Sequence, residues 1–428
     1  MKDQSTSPRK LILLSPFPTF VFSWFSSLFC LWLCGESHFL SAGDWPQFRG
    51  PCGSSVSEET SLPIRWSQTE NVRWKVDLPG RGVSCPVIAG DKVYVTACTE
   101  FQQTRLHVLC YQAATGRKLW ERQFWATANT ICNDKTCMAA PTPVTDGERV
   151  YALFACGDLV ALDSNGDLLW YRSLGRDYPT LGNNVGMAAS PVLCKEVLIL
   201  PMVNPGDSFI AGLDKHSGRN LWKSEQSRDL NWVTPLVVND NGKSEVLFQS
   251  PRGLTACDPD TGRVRWSFTE QTLSGVPSPV RGNGLLLVAA GGVIALRPGS
   301  ESRSASLAWQ SGKLASGYSS PLFYEGRVYA VNTAGVLNCA DAVNGKSLWQ
   351  ERLKGKTNQY WASPVVADGK LYAVDEGGTT TVVQIGSQSV VLAANSLDET
   401  ILATPAISGG AIYLRSDQHL YCIAKKRE

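Results

Sequence analysis

The sequence contains few of the residues from which metal and acid–base sites are built. Among its 428 residues are four histidines and four methionines, and the histidines are widely scattered. It has no Cys-x-x-Cys, His-Glu-x-x-His or Gly-x-Ser-x-Gly motif, so zinc ribbons, c-type haem attachment, zinc peptidases and serine hydrolases are not supported. The net charge is +2, without a long run of either sign. No nucleic-acid partner is expected, because such a partner requires a basic stripe.

The N-terminal segment has the pattern of an export signal. Three basic residues precede an apolar run at 11–34, and small residues surround Ala42. Residues 1–42 are therefore expected to be a signal peptide, or a membrane anchor that tethers the protein through 11–34. A lipoprotein cleavage before Cys34 is the third alternative, although Leu33 stands where a small residue is preferred. All three place the bulk of the chain in the periplasm or cell envelope.

The cysteine content fits an exported protein. Thirteen cysteines occur, and eleven follow residue 42. An odd number leaves at least one without a partner inside the chain. Cys132 and Cys137 lie five residues apart in a polar stretch, and they are candidates for a disulfide bond.

Two sets of residues recur along the chain. Tryptophans follow one another at intervals of 40 to 52 residues: Trp74, Trp120, Trp170, Trp222, Trp266, Trp309 and Trp349. Between them lie eight prolines, seven preceded by Ser or Thr and one by Cys: Pro86, Pro143, Pro191, Pro235, Pro279, Pro321, Pro364 and Pro405. A period of this length held over a whole chain indicates a repeat architecture.

Each repeat contains the signals of four short strands. Asp-Gly, Glu-Gly or Gly-Gly often separates alternating apolar runs after the proline, which is typical of β-hairpins. The pattern predicts an all-β fold, an eight-bladed β-propeller of four-stranded antiparallel blades over residues 71–425. Residues 43–70 are an N-terminal extension. The last repeat lacks a fourth strand, so residues 71–76 are expected to join the last blade and close the ring.

The stretch CADAVNGKSLWQ at 339–350 shows the repeat most clearly. Its Asp and Gly are turn residues between the third and fourth strands. The tryptophans are expected to be structural, each lying flat against the neighbouring blade and burying about 200 Å². Leu392 replaces the tryptophan in the seventh repeat.

The pattern Ala-x-Asp-x-x-Thr-Gly-Lys/Arg-x-x-Trp resembles the tryptophan-docking repeat of pyrroloquinoline-quinone-type (PQQ-like) β-propellers, and the likeness covers about residues 66–425. The opening DWPQFRGP at 44–51 is similar to the start of secreted planctomycete-type members. Two branches of the superfamily are relevant. One contains quinoprotein alcohol dehydrogenases, and the other the cofactor-free, BamB-like propeller of the outer-membrane β-barrel assembly machinery.

The resemblance implies different sites in the two branches. Quinoprotein dehydrogenases have two adjacent cysteines beside the quinone, a calcium held by Glu, Asn and Asp, and an Asp base. This sequence has no adjacent cysteine pair, and no motif allows the calcium ligands to be carried over. We therefore expect a monomeric, non-catalytic scaffold without a cofactor that binds an envelope protein or peptide. A dehydrogenase using PQQ with calcium is the alternative.

Two groups of residues are candidate binding sites. Long connections follow Trp120 and Trp170, and long polar loops on a rigid scaffold often bind ligands. Their candidates, with one residue of a neighbouring loop, are Trp125, Asn129, Asn133, Asp134, Lys135, Arg176, Asp177, Tyr178, Asn183, Asn184 and Asp207. The other reading is that these loops are insertions without a ligand.

The second group lies three residues before a repeat proline. These positions carry the aromatic residues Trp232, Tyr318 and Trp361, which are expected at the mouth of the central channel. They either cap the channel or bind a carbohydrate or another small ligand there.

Overall fold

The computed structural model describes residues 43–240, 242–357 and 359–425. The predicted signal peptide or anchor, 1–42, lies outside the described residues. Within the described ranges, no helix combines the length and apolar character needed to cross a membrane. The helical segments are short: Pro51–Gly53, Phe101–Gln103 and Leu174–Asp177.

The remaining regular structure is β-strand. The extension contains β1 (Val56–Ser57), and β2 is Val72–Asp77. Blade one contains β3 (Val87–Ala89), β4 (Lys92–Thr99), β5 (Arg105–Gln112) and β6 (Lys118–Trp125), and blade two contains β7 (Val144–Thr145), β8 (Arg149–Leu153), β9 (Asp158–Asp163) and β10 (Leu168–Ser173). Blade three contains β11 (Val192–Cys194), β12 (Val197–Met202), β13 (Phe209–Asp214) and β14 (Asn220–Glu225), and blade four contains β15 (Leu236–Asp240), β16 (Lys243–Ser250), β17 (Gly253–Cys257) and β18 (Val264–Phe268).

The second half of the ring has the same organisation. Blade five contains β19 (Val280–Gly282), β20 (Leu285–Ala289), β21 (Val293–Arg297) and β22 (Ser306–Ser311), and blade six contains β23 (Leu322–Tyr324), β24 (Arg327–Val331), β25 (Val336–Asp341) and β26 (Ser347–Arg352). Blade seven contains β27 (Val365–Ala367), β28 (Lys370–Val374), β29 (Thr379–Gln384) and β30 (Val390–Ser396), and blade eight contains β31 (Ala406–Ser408), β32 (Ala411–Arg415) and β33 (His419–Ile423).

The predicted eight-bladed propeller is confirmed. The strands form eight sheets, and consecutive strands within each blade are antiparallel neighbours. The outer strand of the eighth blade is β2, which pairs with β33 and joins the start of the propeller to its end. The closing strand is one residue later than predicted, at Val72–Asp77 instead of 71–76. The short strand β1, which the sequence did not predict, adds to blade seven by pairing parallel to β27.

The repeated tryptophans lie between neighbouring blades, as predicted. The indole N–H of Trp74 donates to the Ala113 carbonyl at 2.9 Å, and that of Trp120 donates to the Ser164 carbonyl at 3.1 Å. Four others repeat this contact with the next blade: Trp170, Trp222, Trp309 and Trp349. Trp266 differs, since its N–H donates to the Glu245 carboxylate within its own blade.

In five blades the positive-φ glycine of the turn lies under the indole of the preceding blade: Gly116, Gly166, Gly218, Gly262 and Gly345. At Gly116 φ is +72°, and an added Cβ would lie 2.7 Å from the Trp74 ring. The Asp of the turn acts as the sequence predicts: the Asp214 carboxylate accepts the backbone N–H groups of His216 and Ser217. The repeated sequence motif therefore forms a turn, and the glycine of that turn forms the surface against which a tryptophan packs.

Blade seven departs from this pattern, and its strand register shows that the prediction for Leu392 is wrong. Each outer strand has a β-bulge, and in blade seven the bulged residue is Leu392. Ala393 therefore occupies the position that the docking tryptophan has in other blades, whereas the repeat spacing in the sequence had assigned that position to Leu392. Trp66 of the extension fills the gap, with its ring 6.4 Å from that of Tyr372 and inclined by 26°.

The extension runs across one face of the ring. Trp45 is fully buried and forms an antiparallel bridge with Ile88 of blade one. The Glu59 carboxylate accepts the backbone N–H groups of Gly409 and Gly410 in blade eight, at 2.8 and 2.9 Å. Its contacts thus fasten several blades to one another.

Candidate functional site

The residues before the repeat prolines form a belt of hydrogen bonds around the central channel. In each of seven links, a backbone N–H donates to the hydroxyl of the equivalent residue in the next blade, as from Ser278 to Ser320 at 2.9 Å. The other six acceptors, at 3.0 to 3.1 Å, are Thr142, Ser190, Thr234, Ser278, Ser363 and Thr404. The belt explains why Ser and Thr recur before the prolines.

Cys85 occupies the eighth position of the belt. Its backbone N–H donates to the Thr142 hydroxyl at 3.0 Å. Burial raises the pKa of the Cys85 thiol, while hydrogen bonds from Thr142 and Thr404 oppose that rise. A thiol therefore completes the belt where the other seven blades supply a hydroxyl.

The extension reaches the cavity inside the ring. Phe48 lines the cavity inside the ring, and the neighbouring Arg49 is 1% exposed. Its guanidinium donates to the carbonyls of Pro279 and Pro321 at 3.1 and 2.6 Å, and to the Ser55 hydroxyl at 2.8 Å. Burial lowers the pKa of Arg49 to about 9.

The three aromatics predicted at the channel mouth line the same cavity as Phe48. The rings of Tyr318 and Trp361 stack on each other, 4.0 Å apart and inclined by 7°. The Trp361 indole N–H donates to the Glu376 carboxylate at 2.8 Å, and the Trp232 indole N–H donates to the Gly186 carbonyl at 2.7 Å. Two of the three aromatics contact each other directly, so a planar ligand does not fit between them without separating them.

Lys135 connects the long loop to the mouth. Its ammonium lies 2.5 Å from the Glu376 carboxylate and 5.8 Å from the centre of the Trp361 ring. The hydrogen bond that the Lys135 ammonium donates to the Glu376 carboxylate raises the pKa of Lys135. The structure thus brings one predicted loop residue together with one predicted mouth residue, through a glutamate that the sequence did not single out.

The other loop candidates are scattered. Trp125 is 61% exposed at the end of β6, with the Arg105 guanidinium 4.6 Å from its ring centre. Asn133 forms a local turn with Lys135 and Thr136. The exposed positions include Asn129, Asp134, Arg176, Asp177 and Asn184.

Some loop candidates have internal contacts that fix the loops. Tyr178 packs on the buried Phe209, with ring centres 4.5 Å apart. The Asp207 carboxylate accepts the Thr180 backbone N–H at 3.0 Å, and Asn183 is 8% exposed. These residues shape the loops, so less of their surface can meet a partner.

The predicted disulfide between Cys132 and Cys137 is absent, and both are free thiols. Cys137 is buried and interacts instead with Cys98 of β4. The reason is the path of the loop: the Gln103 carboxamide oxygen accepts the Met138 backbone N–H at 2.8 Å and lies 3.3 Å from the Cys98 sulfur. This contact holds Cys137 against blade one.

The structure also shows a groove that sequence reasoning missed. We call it the blade-one groove: a cleft of about 340 Å³ between residues 102–103 and 129–132. Ile131, which lines the groove, is 65% exposed, and Phe101, next to Gln102 in the chain, is 84% exposed. Trp125, four residues before Asn129, is 61% exposed. A large apolar residue in a polar loop was the available signal for Phe101 and Ile131.

Metal-binding side chains are not clustered in the part of the chain that the structure describes. The described residues contain no group of three His, Cys, Asp or Glu side chains arranged to hold a metal ion. Glu376, the carboxylate found at the mouth, is already paired with Lys135 and Trp361. The cavity behind it measures about 140 Å³.

The closed ring and its docking tryptophans define a PQQ-like β-propeller. The chain belongs to the family described as outer membrane protein assembly factor BamB, whose profile matches residues 57–199 and 206–427. A search of curated proteins found no match.

Solved structures with the same fold come from both branches. BamB from Moraxella catarrhalis is 16% identical, with a TM-score of 0.60, covering 83% of this chain and 98% of that one. Quinohemoprotein alcohol dehydrogenase from Comamonas testosteroni is 13% identical, with a TM-score of 0.64, covering 90% and 81%. A europium-containing methanol dehydrogenase is 12% identical, with a TM-score of 0.63, covering 87% and 89%. At these identities the likeness shows the fold alone.

Proposed function

We propose that this protein is an exported, non-catalytic scaffold of the cell envelope that binds an integral outer-membrane protein. The partner contributes an extended segment with apolar side chains, which enters the blade-one groove. The observation that carries the proposal is the exposure of Ile131, which lines the groove, and of Phe101 and Trp125, which lie near its lining residues along the chain. Single exposed apolar residues are common, whereas a cluster beside a cleft is typical of an interaction site.

The groove is held in place by internal contacts. The Thr130 hydroxyl donates to the Asn183 carbonyl at 3.0 Å, and the Gln103 carboxamide holds the backbone at Met138. A preformed groove loses little conformational entropy when a partner binds. Large aromatic side chains such as Trp125 often supply most of the binding energy.

Family membership supports the choice of partner. The family is named for an outer membrane protein assembly factor, which agrees with an exported chain and a protein partner. The mouth is filled by a ring stack and an ion pair, which supports binding at the groove over binding of a sugar or quinone in the channel.

The proposal can be tested by photo-crosslinking in intact cells. A photoreactive amino acid would be placed at Phe101 or Ile131, and in a control at Val343, which is 65% exposed in a blade-six turn. We expect one outer-membrane protein to crosslink at the first two positions and not at Val343. Equal labelling at all three positions would contradict the proposal.

The interaction would then be measured with the purified partner. Phe101→Ser combined with Ile131→Ser is expected to weaken binding at least about 10-fold, because each buried apolar side chain contributes about 1.5–3 kcal/mol. Val343→Ser should leave affinity unchanged, and neither variant should lower the melting temperature much. Stoichiometric binding of PQQ with calcium and oxidation of an alcohol would instead support the dehydrogenase alternative.

A further inference from the structure

Hydroxyl groups line the cavity inside the ring. Five belt residues are at most 5% exposed and line the cavity: Ser190, Thr234, Ser278, Ser320 and Ser363. Each oxygen already accepts a backbone N–H from the preceding blade. Among the described residues, none of these five hydroxyls donates a hydrogen bond to a protein atom.

Two buried arginines lie beside this belt. Arg49 donates to the carbonyls of Ser278 and Pro279, at 3.3 and 3.1 Å, and so lies next to a belt residue. Arg415 is 1% exposed and donates to Ser84, next to Cys85, while its Nε and Nη2 have no partner. Within the described ranges, neither guanidinium donates to a carboxylate, so no direct ion pair neutralises these two positive charges.

A ring of donors with positive charge beside it favours one class of occupant. Water and an anion can both accept hydrogen bonds from these hydroxyls, but only an anion also offsets the positive charge of the two arginines. A desolvated anion is costly unless donors and positive charge surround it. The cavity of about 140 Å³ exceeds the roughly 30 Å³ that a water molecule occupies in the liquid, so a hydrated halide has room.

We propose that the central channel contains a binding site for a small inorganic monovalent anion, of halide size, held by the belt hydroxyls of Ser278, Ser320 and Ser363 and their neighbours. Lys135, Tyr318 and Trp361 line the same cavity. One bound anion offsets part of the positive charge of Arg49 and Arg415. The site is separate from the blade-one groove and independent of the proposed partner.

Bromide is the probe for a direct test. Crystals of the mature protein soaked in sodium bromide should give an anomalous peak inside the belt, within hydrogen-bond distance of at least three hydroxyls. A peak at the surface only, or water alone inside the belt, would overturn the proposal.

Thermal unfolding gives a second test in solution. At constant ionic strength, replacing sodium gluconate with sodium bromide should raise the melting temperature by about 2 °C, because the anion binds the folded state. Ser320→Thr keeps the hydroxyl and should keep this rise, whereas Ser320→Ala should reduce it. If Ser320→Ala does not fold, the comparison of salts in the native protein still decides, since equal melting temperatures contradict an anion site.

Discussion

At the scale of single residues, Glu399 is the polar centre of the ring closure. Its carboxylate accepts hydrogen bonds from Ser416 and Tyr421, and it lies 2.8 Å from a ring nitrogen of His419 and 3.3 Å from the Lys75 ammonium. Partial burial opposes ionisation, but these hydrogen bonds outweigh it and lower the pKa of Glu399 to about 2. One carboxylate thus connects the first and last strands of the propeller.

This arrangement makes stability depend on pH in a defined range. The folded pKa lies below the ordinary value of 4.5, so the stabilisation is complete above about pH 4.5 and is lost as the pH falls towards 2. We expect Glu399→Gln to flatten the pH dependence of the free energy of unfolding over that range by about 2 kcal/mol. Urea unfolding at several pH values measures this.

The matched control is Glu58→Gln, at an exposed carboxylate of the extension. It should leave the pH profile close to that of the native protein. If Glu399→Gln and Glu58→Gln gave the same profile, the hydrogen bonds at Glu399 would not account for acid sensitivity.

The role of a residue could be predicted from the sequence where the same residue type recurs in successive blades. The docking tryptophans and the Asp and Gly of the turns were predictable because these residue types recur at the same positions of successive repeats. Arg49 and Glu376 were not, since their partners come from segments without a periodic relation to them. Cys132 was paired with Cys137 on spacing alone, and only the fold shows that Cys98 lies beside Cys137.

At the scale of elements, blade seven shows how the extension compensates for a missing side chain. Trp66 is 4% exposed and packs on Tyr372, and its backbone N–H donates to the Asn395 side chain at 3.1 Å. In other blades an equivalent Tyr contacts the blade's own tryptophan, such as Tyr94 with Trp120, 5.9 Å apart. A distant segment therefore supplies the aromatic ring that Ala393 lacks.

The exchange can be tested by moving the tryptophan back into the strand. Trp66→Ala should destabilise the fold by about 3–5 kcal/mol, because it leaves a cavity beside Tyr372. Adding Ala393→Trp to that variant should recover part of the loss by refilling the cavity. Denaturant unfolding of the single and double variants measures both effects.

Two comparisons keep that experiment interpretable. Ala393→Trp alone should destabilise the protein, since Trp66 already occupies the space. Trp125→Ala removes a tryptophan that is 61% exposed and should change stability little. If Ala393→Trp destabilised the Trp66→Ala variant further, the two tryptophans would not share one space.

At the scale of the whole molecule, the fold was predictable and the position of the extension was not. The period, the strand signals and the missing last strand together required a closed ring, and β2 pairs with β33 as that argument demands. The extension has no repeat to align with, so its path over the ring and its contacts at Arg49 and Trp66 depend on tertiary packing alone. The blade-one groove is similar, because it forms between loops of unrelated sequence.

Ring closure predicts where the molecule opens first. Trp74 and Trp170 have nearly identical contacts: each indole N–H donates to a carbonyl of the next blade, at 2.9 and 3.0 Å, and each ring meets a tyrosine at 5.9 and 6.1 Å. They differ in location, since Trp74 lies on β2, where the chain's start meets its end. Loosening that blade separates β2 from β33 and exposes two strand edges.

Matched alanine variants at the two sites therefore separate local packing from closure. Trp74→Ala and Trp170→Ala should lower the free energy of unfolding by similar amounts, about 3–5 kcal/mol each. Amide hydrogen exchange should differ, because faster exchange in Trp74→Ala spreads through both β2 and β33, whereas in Trp170→Ala it stays within blades two and three. Exchange confined to β2 in the first variant would mean that the ring stays closed without this tryptophan, and the closing strand would then be an ordinary outer strand.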